Sequence, residues 1–470
     1  MLMISTAKIL RFCCALWFYF FANFAALAAP SVDLMIDTTR PLGPIDLTKF
    51  ALGQGGLSDK PMIDAHTEQL AQLHPQTIRI FVQEFFNLLP EAGRYHWATL
   101  DKSIEAILAT HAKPIFCLCF KPKLLYPKID QKIVHPNDYK KWEELIFELV
   151  KHCNQEKKFG IEYWEIGNEV DIGEDGGCPY LFQPDDYVTY YAHTAKAILR
   201  ADKKAKIGGP ALAGYNSDIG TVLIAACGRG IAPLDFFSWH VYSSEPEDFR
   251  KSIKTIRARL AKFPRLKNCE TIIDEWNMLL DKPNLAPGFQ PAFILETTAA
   301  FLDEGLSRAA YYHIRDSFVD EEQFAKFTSK SGAEFVAKWW NTMPQYDGLW
   351  DNQGQVRPAY SAFKLLSLLH GRRLEISGTG SEIKALATTN SGSINVVLWN
   401  FSREEKKEPT EISLRFSGIK NGQFRTYRFN PEAHLNPLEL QQQGNAVDLE
   451  KEPLRDSLRP YEIRWITIGR

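Results

Sequence analysis

Tyr163-Trp164-Glu165-Ile166-Gly167-Asn168-Glu169 is a short apolar run that ends in an amide and a carboxyl side by side. Its aromatic and β-branched residues favour a strand, and Gly167 marks where the strand stops. Taken as Glu162–Ile166, this strand is the fourth of eight similar runs. The others are Phe50–Gly53, Thr77–Phe81, Pro114–Phe120, Lys206–Gly209, Phe236–Val241, Thr271–Asp274 and Ala309–His313. Amphipathic helical segments lie between them, among them Asp138–His152, Asp185–Ala201 and Pro291–Glu304, and Ala359–Leu369 follows the last. Eight strands alternating with helices at this spacing predict an α/β fold, a parallel (β/α)8 TIM barrel, over residues 45–370. An open doubly wound sheet would carry a Gly-rich turn after an early strand, and Gly53-Gln54-Gly55-Gly56 does not fit that fingerprint.

After Gly371 the pattern changes to strands separated by turn residues: Ile394–Phe401, Glu411–Phe416, Phe424–Phe429 and Glu462–Ile468. These predict a C-terminal β-sandwich domain over residues 371–470. Residues 31–44, ahead of the first barrel strand, are expected to join it.

A second run, Ile272-Ile273-Asp274-Glu275-Trp276-Asn277, closes the seventh strand. The C-terminal ends of barrel strands are where catalytic groups sit. Strands four and seven lie nearly opposite each other across an eight-stranded mouth, so Glu169 and Glu275 can face each other across a bound sugar. Glycoside cleavage needs that arrangement. One carboxyl protonates the leaving oxygen and the other, ionised, attacks the anomeric carbon; a gap of about 5 Å gives retention and a wider one inversion.

Composition narrows the alternatives. Hydrophobic residues at 45% permit a large core, and a net charge of −2 without a basic block gives no sign of nucleic acid as partner. The first 28 residues read as a signal peptide: Lys8 and Arg11 precede an apolar run from Phe12 to Leu27 and a small-x-small site at Ala26-Leu27-Ala28. The protein is therefore expected to be exported, periplasmic or extracellular, and not membrane-spanning once cleaved. Six cysteines remain after cleavage, an even number that permits disulfides, although Cys117 and Cys119 sit two apart on a strand as small core residues do. No spacing of His, Cys or carboxylates resembles a metal site, and no cofactor is expected.

The Asn168-Glu169 and Glu275 pairing resembles the pattern of clan A glycoside hydrolases. Within that clan the chain looks like glycoside hydrolase family 39, the xylosidase and iduronidase family, with families 51 and 79 as neighbours. Phe120-Lys121-Pro122-Lys123 resembles the segment after that family's third strand, and Gly348-Leu349-Trp350-Asp351 through Pro358-Ala359-Tyr360 the stretch before its last barrel helix. The resemblance implies a retaining O-glycoside hydrolase acting on a poly- or oligosaccharide through a covalent glycosyl-enzyme, xylosidase-like in specificity. It implies Glu169 as acid/base, Glu275 as nucleophile and Asn168 as partner of the sugar 2-hydroxyl. Arg79 matches the arginine that keeps the nucleophile ionised. His240 and Tyr242 match the clan's His-x-Tyr, with Tyr242 orienting Glu275 and His240 setting the polarity around the acid.

Departures from that pattern fall where sugars would be read. The eighth strand is Tyr311-Tyr312-His313-Ile314-Arg315-Asp316 rather than Trp-containing, Val170 and Asp171 follow Glu169 where proline is usual, and Gly173-Glu174-Asp175-Gly176-Gly177 is unfamiliar. Trp276 and His313 are candidate substrate contacts. Trp276, Phe318, Trp339, Trp340 and Trp350 are candidate stacking platforms, each with core packing as the competing reading. Two other functional readings stand beside the first: a catalytically inactive carbohydrate-binding protein on the same fold, and an arabinofuranosidase- or glucuronidase-like clan A enzyme. Sugar, linkage and oligomeric state are open at this level.

Overall fold

Eight parallel strands close into a barrel in the computed structural model, in the order β2-β3-β4-β5-β6-β7-β8-β9. The structure describes residues 31–55, 58–378, 380, 382–405, 407–433 and 436–469; the signal segment lies outside them. Ser31–Pro44 forms β1, and the barrel strands are β2 Ala51–Gln54, β3 Thr77–Val82, β4 Lys113–Leu118, β5 Tyr163–Ile166, β6 Lys206–Leu212, β7 Phe236–Tyr242, β8 Glu270–Asn277 and β9 Arg308–Tyr312. The helices are α1 Thr67–Ala71, α2 Ala98–Ala109, α3 Tyr139–Lys151, α4 Pro184–Ala201, α5 Asp218–Gly228, α6 Pro246–Leu260, α7 Phe289–Glu304, α8 Glu321–Phe324, α9 Lys330–Thr342 and α10 Pro358–Ser367. Local chemistry sets several ends. Asp138 caps α3 by accepting from the Lys140 and Lys141 amides, and proline opens α4, α6 and α10.

The expected C-terminal sandwich is a nine-stranded sheet curled around its own core, ordered β15-β14-β17-β12-β11-β10-β1-β13-β16. Its strands after the barrel are β10 Arg372–Ser377, β11 Ile383–Asn390, β12 Ser393–Asn400, β13 Thr410–Ser417, β14 Asn421–Phe429, β15 Leu438–Val447, β16 Leu454–Leu458 and β17 Ile463–Gly469. The segment ahead of the barrel lies in this sheet, since β1 pairs antiparallel with β10 and parallel with β13.

Strand alternation joins the two bodies. On β12, Ile394, Val396 and Leu398 enter the sandwich core, while Val397 and Trp399 face the barrel's core. On β17, Ile466 and Ile468 turn one way and Ile463 and Trp465 the other. A sheet buried on both faces reads as a continuous apolar run, as Val396–Trp399 does. The barrel answers with α7, where Glu296 accepts the Trp399 indole N–H at 2.8 Å and Phe289 packs on Phe401 and Tyr461. The six cysteines of the described chain are free thiols, and Cys117 and Cys119 are buried.

Trp399→Ala removes a fully buried indole from this junction. It is expected to cost about 3–5 kcal/mol in chemical denaturation, with barrel and sandwich still unfolding in one transition.

Candidate active site

Side chains fill the barrel in layers from base to mouth. Ile115, Tyr163, Phe236 and Ile272 make an apolar cluster at the base. Two residues on along the same strands stand Cys117, Glu165, Ser238 and Asp274, all fully buried. Arg79 of β3 enters this polar layer and is itself 1% exposed. Its Nε bonds Glu165 at 2.6 Å, and its terminal nitrogens reach Asp274 at 2.9 Å, Glu275 at 2.8 Å and the Asn168 side-chain oxygen at 2.8 Å. One guanidinium thus ties β3 to β5 and β8.

The upper layer holds Asn168, Glu169, His240, Tyr242 and Glu275. Strict alternation along β8 would point Asp274 inward and Glu275 outward. A bulge prevents this: Trp239 pairs with Ile273 but His240 pairs with Glu275, so Asp274 is an extra residue. Both acids therefore face the interior, and Trp276 is sent outward.

Glu275 is held on both oxygens, Oε1 by Arg79 and Oε2 by the Tyr242 hydroxyl at 2.6 Å. His240 Nδ1 lies 2.8 Å from Glu169 Oε1 and 3.5 Å from Glu275 Oε2, and its Nε2 faces Asp274 at 3.2 Å. Burial disfavours a charge on His240, but the Glu275, Asp274 and Glu169 carboxyls outweigh it and hold the imidazole well above its ordinary pKa. Burial raises the Glu169 carboxyl above the usual carboxylate range, with the His240 bond pulling the other way without cancelling it. Glu169 has φ of 45°, a left-handed conformation rare for a residue with a side chain and common at functional sites.

Donor atoms of Glu169, His240 and Glu275 lie within 4.8 Å of one another, as close as the ligands of a metal ion. A protonated His240, hydrogen-bonded to carboxyls through both ring nitrogens, accounts for that closeness without a metal ion.

Above this layer is a cavity of about 290 Å³ whose walls include Phe81, Gln83, Glu169, Glu275, Tyr312 and Trp340. The loop after Glu169 and the helix after strand eight form one wall together. Glu174 accepts from the Ser329 amide at 2.7 Å and hydroxyl at 2.5 Å, which fixes the loop to the N-cap of α9. From α9, Val336, Trp339 and Trp340 reach the cavity. Gly176 closes the loop against the acid: a Cβ there would stand 1.8 Å from Glu169 Oε2.

The expected residues are thus brought together in large part, with two corrections. Trp276 is not a substrate contact; it is fully buried outside the strands among Phe249, Phe293, Phe301, Tyr311 and Phe363. His313 is buried behind Trp340, bonded to Asp316 at 3.1 Å, and does not line the cavity. Of the other aromatics, Trp339 and Trp340 line the cavity, Trp350 is core stacked on His66, and Phe318 borders a separate neighbouring cavity. Gln83, Glu165, Asp274 and Tyr312 were not anticipated. Gln83 had one available signal: it follows Arg79 and Phe81 at alternate positions of the same strand.

The family profile described as Glycosyl hydrolases family 39 matches residues 85–423. The chain belongs to glycosyl hydrolases family 39. Its class is that of a glycoside hydrolase. It is 26% identical over 368 residues to a beta-xylosidase of Geobacillus stearothermophilus, covering 69% of this chain and 66% of that relative. It is 24% identical over 402 residues to a beta-xylosidase of Caldicellulosiruptor saccharolyticus, covering 79% and 77%. The fold is that of the GH39 enzyme from Xanthomonas axonopodis pv. citri, with a TM-score of 0.75 at 16% identity over 95% of this chain and 99% of that one.

The corrected aromatic assignment separates two variants. Trp340→Ala should lower kcat/KM by about tenfold or more, through lost stacking area in the cavity. Trp276→Phe should cost about 1–3 kcal/mol of stability and leave steady-state kinetics near wild type.

Proposed function

We propose that this protein is an exported, retaining, xylosidase-like glycosidase in which Glu275 is the nucleophile and Glu169 the acid/base. The observation that carries the mechanism is the proximity of the two carboxyls, whose nearest oxygens lie within 4.8 Å across His240. That gap suits direct attack by Glu275 and leaves no room for the interposed water of an inverting enzyme. Xylose-type specificity is supported by the two relatives named beta-xylosidase.

In the first step a Glu275 oxygen forms a bond to the anomeric carbon as the bond to the leaving oxygen breaks. That oxygen takes the proton of Glu169. Asn168 accepts from Arg79 through its oxygen, which directs its amide N–H toward the sugar 2-hydroxyl. In the second step water attacks the anomeric carbon, Glu169 takes its proton, and Glu275 leaves as carboxylate. Negative charge therefore moves from Glu275 to Glu169 and back. The His240 cation lies between them and serves both stages, so no reorganisation is needed as the charge moves.

Export is supported by Lys8, Arg11, the apolar run that follows and the Ala26-Leu27-Ala28 site. Among the described residues no helix is long and apolar enough to cross a membrane.

Glu275→Ala should lower kcat by about 10⁴-fold or more, because a missing nucleophile has no substitute. Full activity in that variant would overturn the assignment. Glu169→Ala should keep turnover of an aryl glycoside with a good leaving group only when azide is added, giving a glycosyl azide of retained configuration by NMR. The raised Glu169 sets the pH dependence: a general acid works protonated, so kcat/KM should fall as pH rises through its pKa. That alkaline limb should vanish in Glu169→Gln assayed on an activated substrate. Sequencing of the secreted protein should find Ala29 at its N-terminus.

A further inference from the structure

Two more carboxyls lie beneath the reacting pair, and the steps above make no use of them. Glu165 and Asp274 are both 0% exposed and bond the same guanidinium, at 2.6 and 2.9 Å, which brings the two carboxyls side by side. Arg79 bonds Oε2 of Glu165 and Oδ2 of Asp274, and His240 Nε2 faces the same Oδ2. Their other oxygens, Glu165 Oε1 and Asp274 Oδ1, are buried outside the hydrogen-bond network, with the Ser238 hydroxyl beside Glu165 as a nearby donor. The remaining groups facing Glu165 are neutral: the Cys117 thiol, the Ser238 hydroxyl and the Tyr187 phenol. Cys117 and Tyr187 give their hydrogens to the Gly167 and Ile166 carbonyls.

Two carboxylates in contact, away from water, do not both ionise. Charge balance agrees. The cluster holds two cations, Arg79 and His240, against the carboxyls of Glu165, Asp274, Glu169 and Glu275. Glu169 carries the acid's proton in the free enzyme, and neutrality requires one proton more. Asp274 is touched by both cations and Glu165 by Arg79, so Asp274 is the better anion and Glu165 the better acid.

We propose that Glu165 is a neutral carboxylic acid that donates a hydrogen bond to Asp274, and that it acts as a positioning residue for the reaction. It holds Asp274 as an anion beneath Arg79 and His240 without adding a charge of its own. Arg79 is then free to direct one nitrogen to Glu275 and another to Asn168. His240 keeps its charge while negative charge passes between Glu275 and Glu169. The electrostatics run the same way. Burial, opposed by Arg79, pushes Glu165 up to about 8, whereas Asp274, despite its burial, is held below its usual value by Arg79 and His240.

The inference rests on Glu169 being the acid, and its test is separable from that reading. Failure of the catalytic assignment shows as turnover in Glu275→Ala, whereas this inference is read in Glu165 variants of an active enzyme. Glu165→Gln has the shape and donor of a protonated glutamate. It should keep kcat/KM within about threefold of wild type and leave the alkaline limb where it was. Glu165→Leu, which leaves Arg79 and Asp274 without their partner, should lose at least about thirtyfold. The proposal is overturned if Glu165→Gln loses as much as Glu165→Leu, or displaces the alkaline limb by about one pH unit. It is overturned equally if Glu165→Leu is as active as wild type.

Infrared spectroscopy decides the matter should neither variant fold. Protein carrying Glu84→Gln, Glu169→Gln and Glu296→Gln, with its glutamates ¹³C-labelled, should show a label-shifted carboxylic-acid carbonyl band at neutral pH. That band should disappear as pH passes about 8. Absence of such a glutamate band at neutral pH would overturn the proposal.

Discussion

Arg79 is the interaction on which the site depends. A guanidinium buried at the centre of a barrel loses its hydration, and only charge and well-aimed acceptors offset that loss. Here Glu165, Asp274, Glu275 and Asn168 supply them, from two strands and the loop that follows one of them. The arrangement works in both directions. Four acceptors fix the guanidinium plane, and the guanidinium brings the end of the fourth barrel strand to the end of the seventh. The carboxyl separation across the cavity is thus anchored from below rather than by loops at the rim. Arginine suits this place because its rigid fork addresses several acceptors at once, which a single ammonium does not do.

The cavity above has a different origin. Its wall of aromatic and aliphatic side chains comes from α9, a helix inserted after strand eight, and from the loop after Glu169. Glu174 and Ser329 join these two elements at a sequence separation of 155 residues. Because Gly176 packs against Glu169 in that loop, the acid's position and the shape of the cavity are coupled. Of the departures from the family's motif, the loop after Glu169 thus contributes directly to the cavity wall.

Much of this was legible in the chain. Each barrel strand shows as a short β-rich run because it is buried on both faces, and the helices between show their own period. The sheet domain was less legible. β12, β13, β14 and β17 carry apolar residues enough to be seen, whereas β10 and β15 do not. Arg-Arg-Leu-Glu-Ile-Ser in β10 and Leu-Glu-Leu-Gln-Gln-Gln in β15 are polar strands, and β15 is an edge. Their pairing comes from neighbours rather than from their own hydrophobicity. Within the site, Asn168, Glu169 and Glu275 were legible because strand ends concentrate chemistry, and His240 and Tyr242 through the resemblance to the family's pattern. Trp276 was misplaced because adjacency to Glu275 suggests a shared face, and a shared face is what the bulge at Asp274 denies it.

The sequence by itself determined the order of strands and helices and the strand ends that carry carboxyls; the supporting arginine and His-x-Tyr were marked by the resemblance to the family. These are properties of residue type and period, which are local. Only the tertiary structure decided that Asp274 and Glu275 both face inward, that Glu169 and Glu275 each bring an oxygen within 4.8 Å of the other, and that Glu165 and Asp274 share one guanidinium. A bulge is set by the register of two neighbouring strands, and a distance across a barrel is set by its closure. Neither quantity is carried by any one segment of the chain.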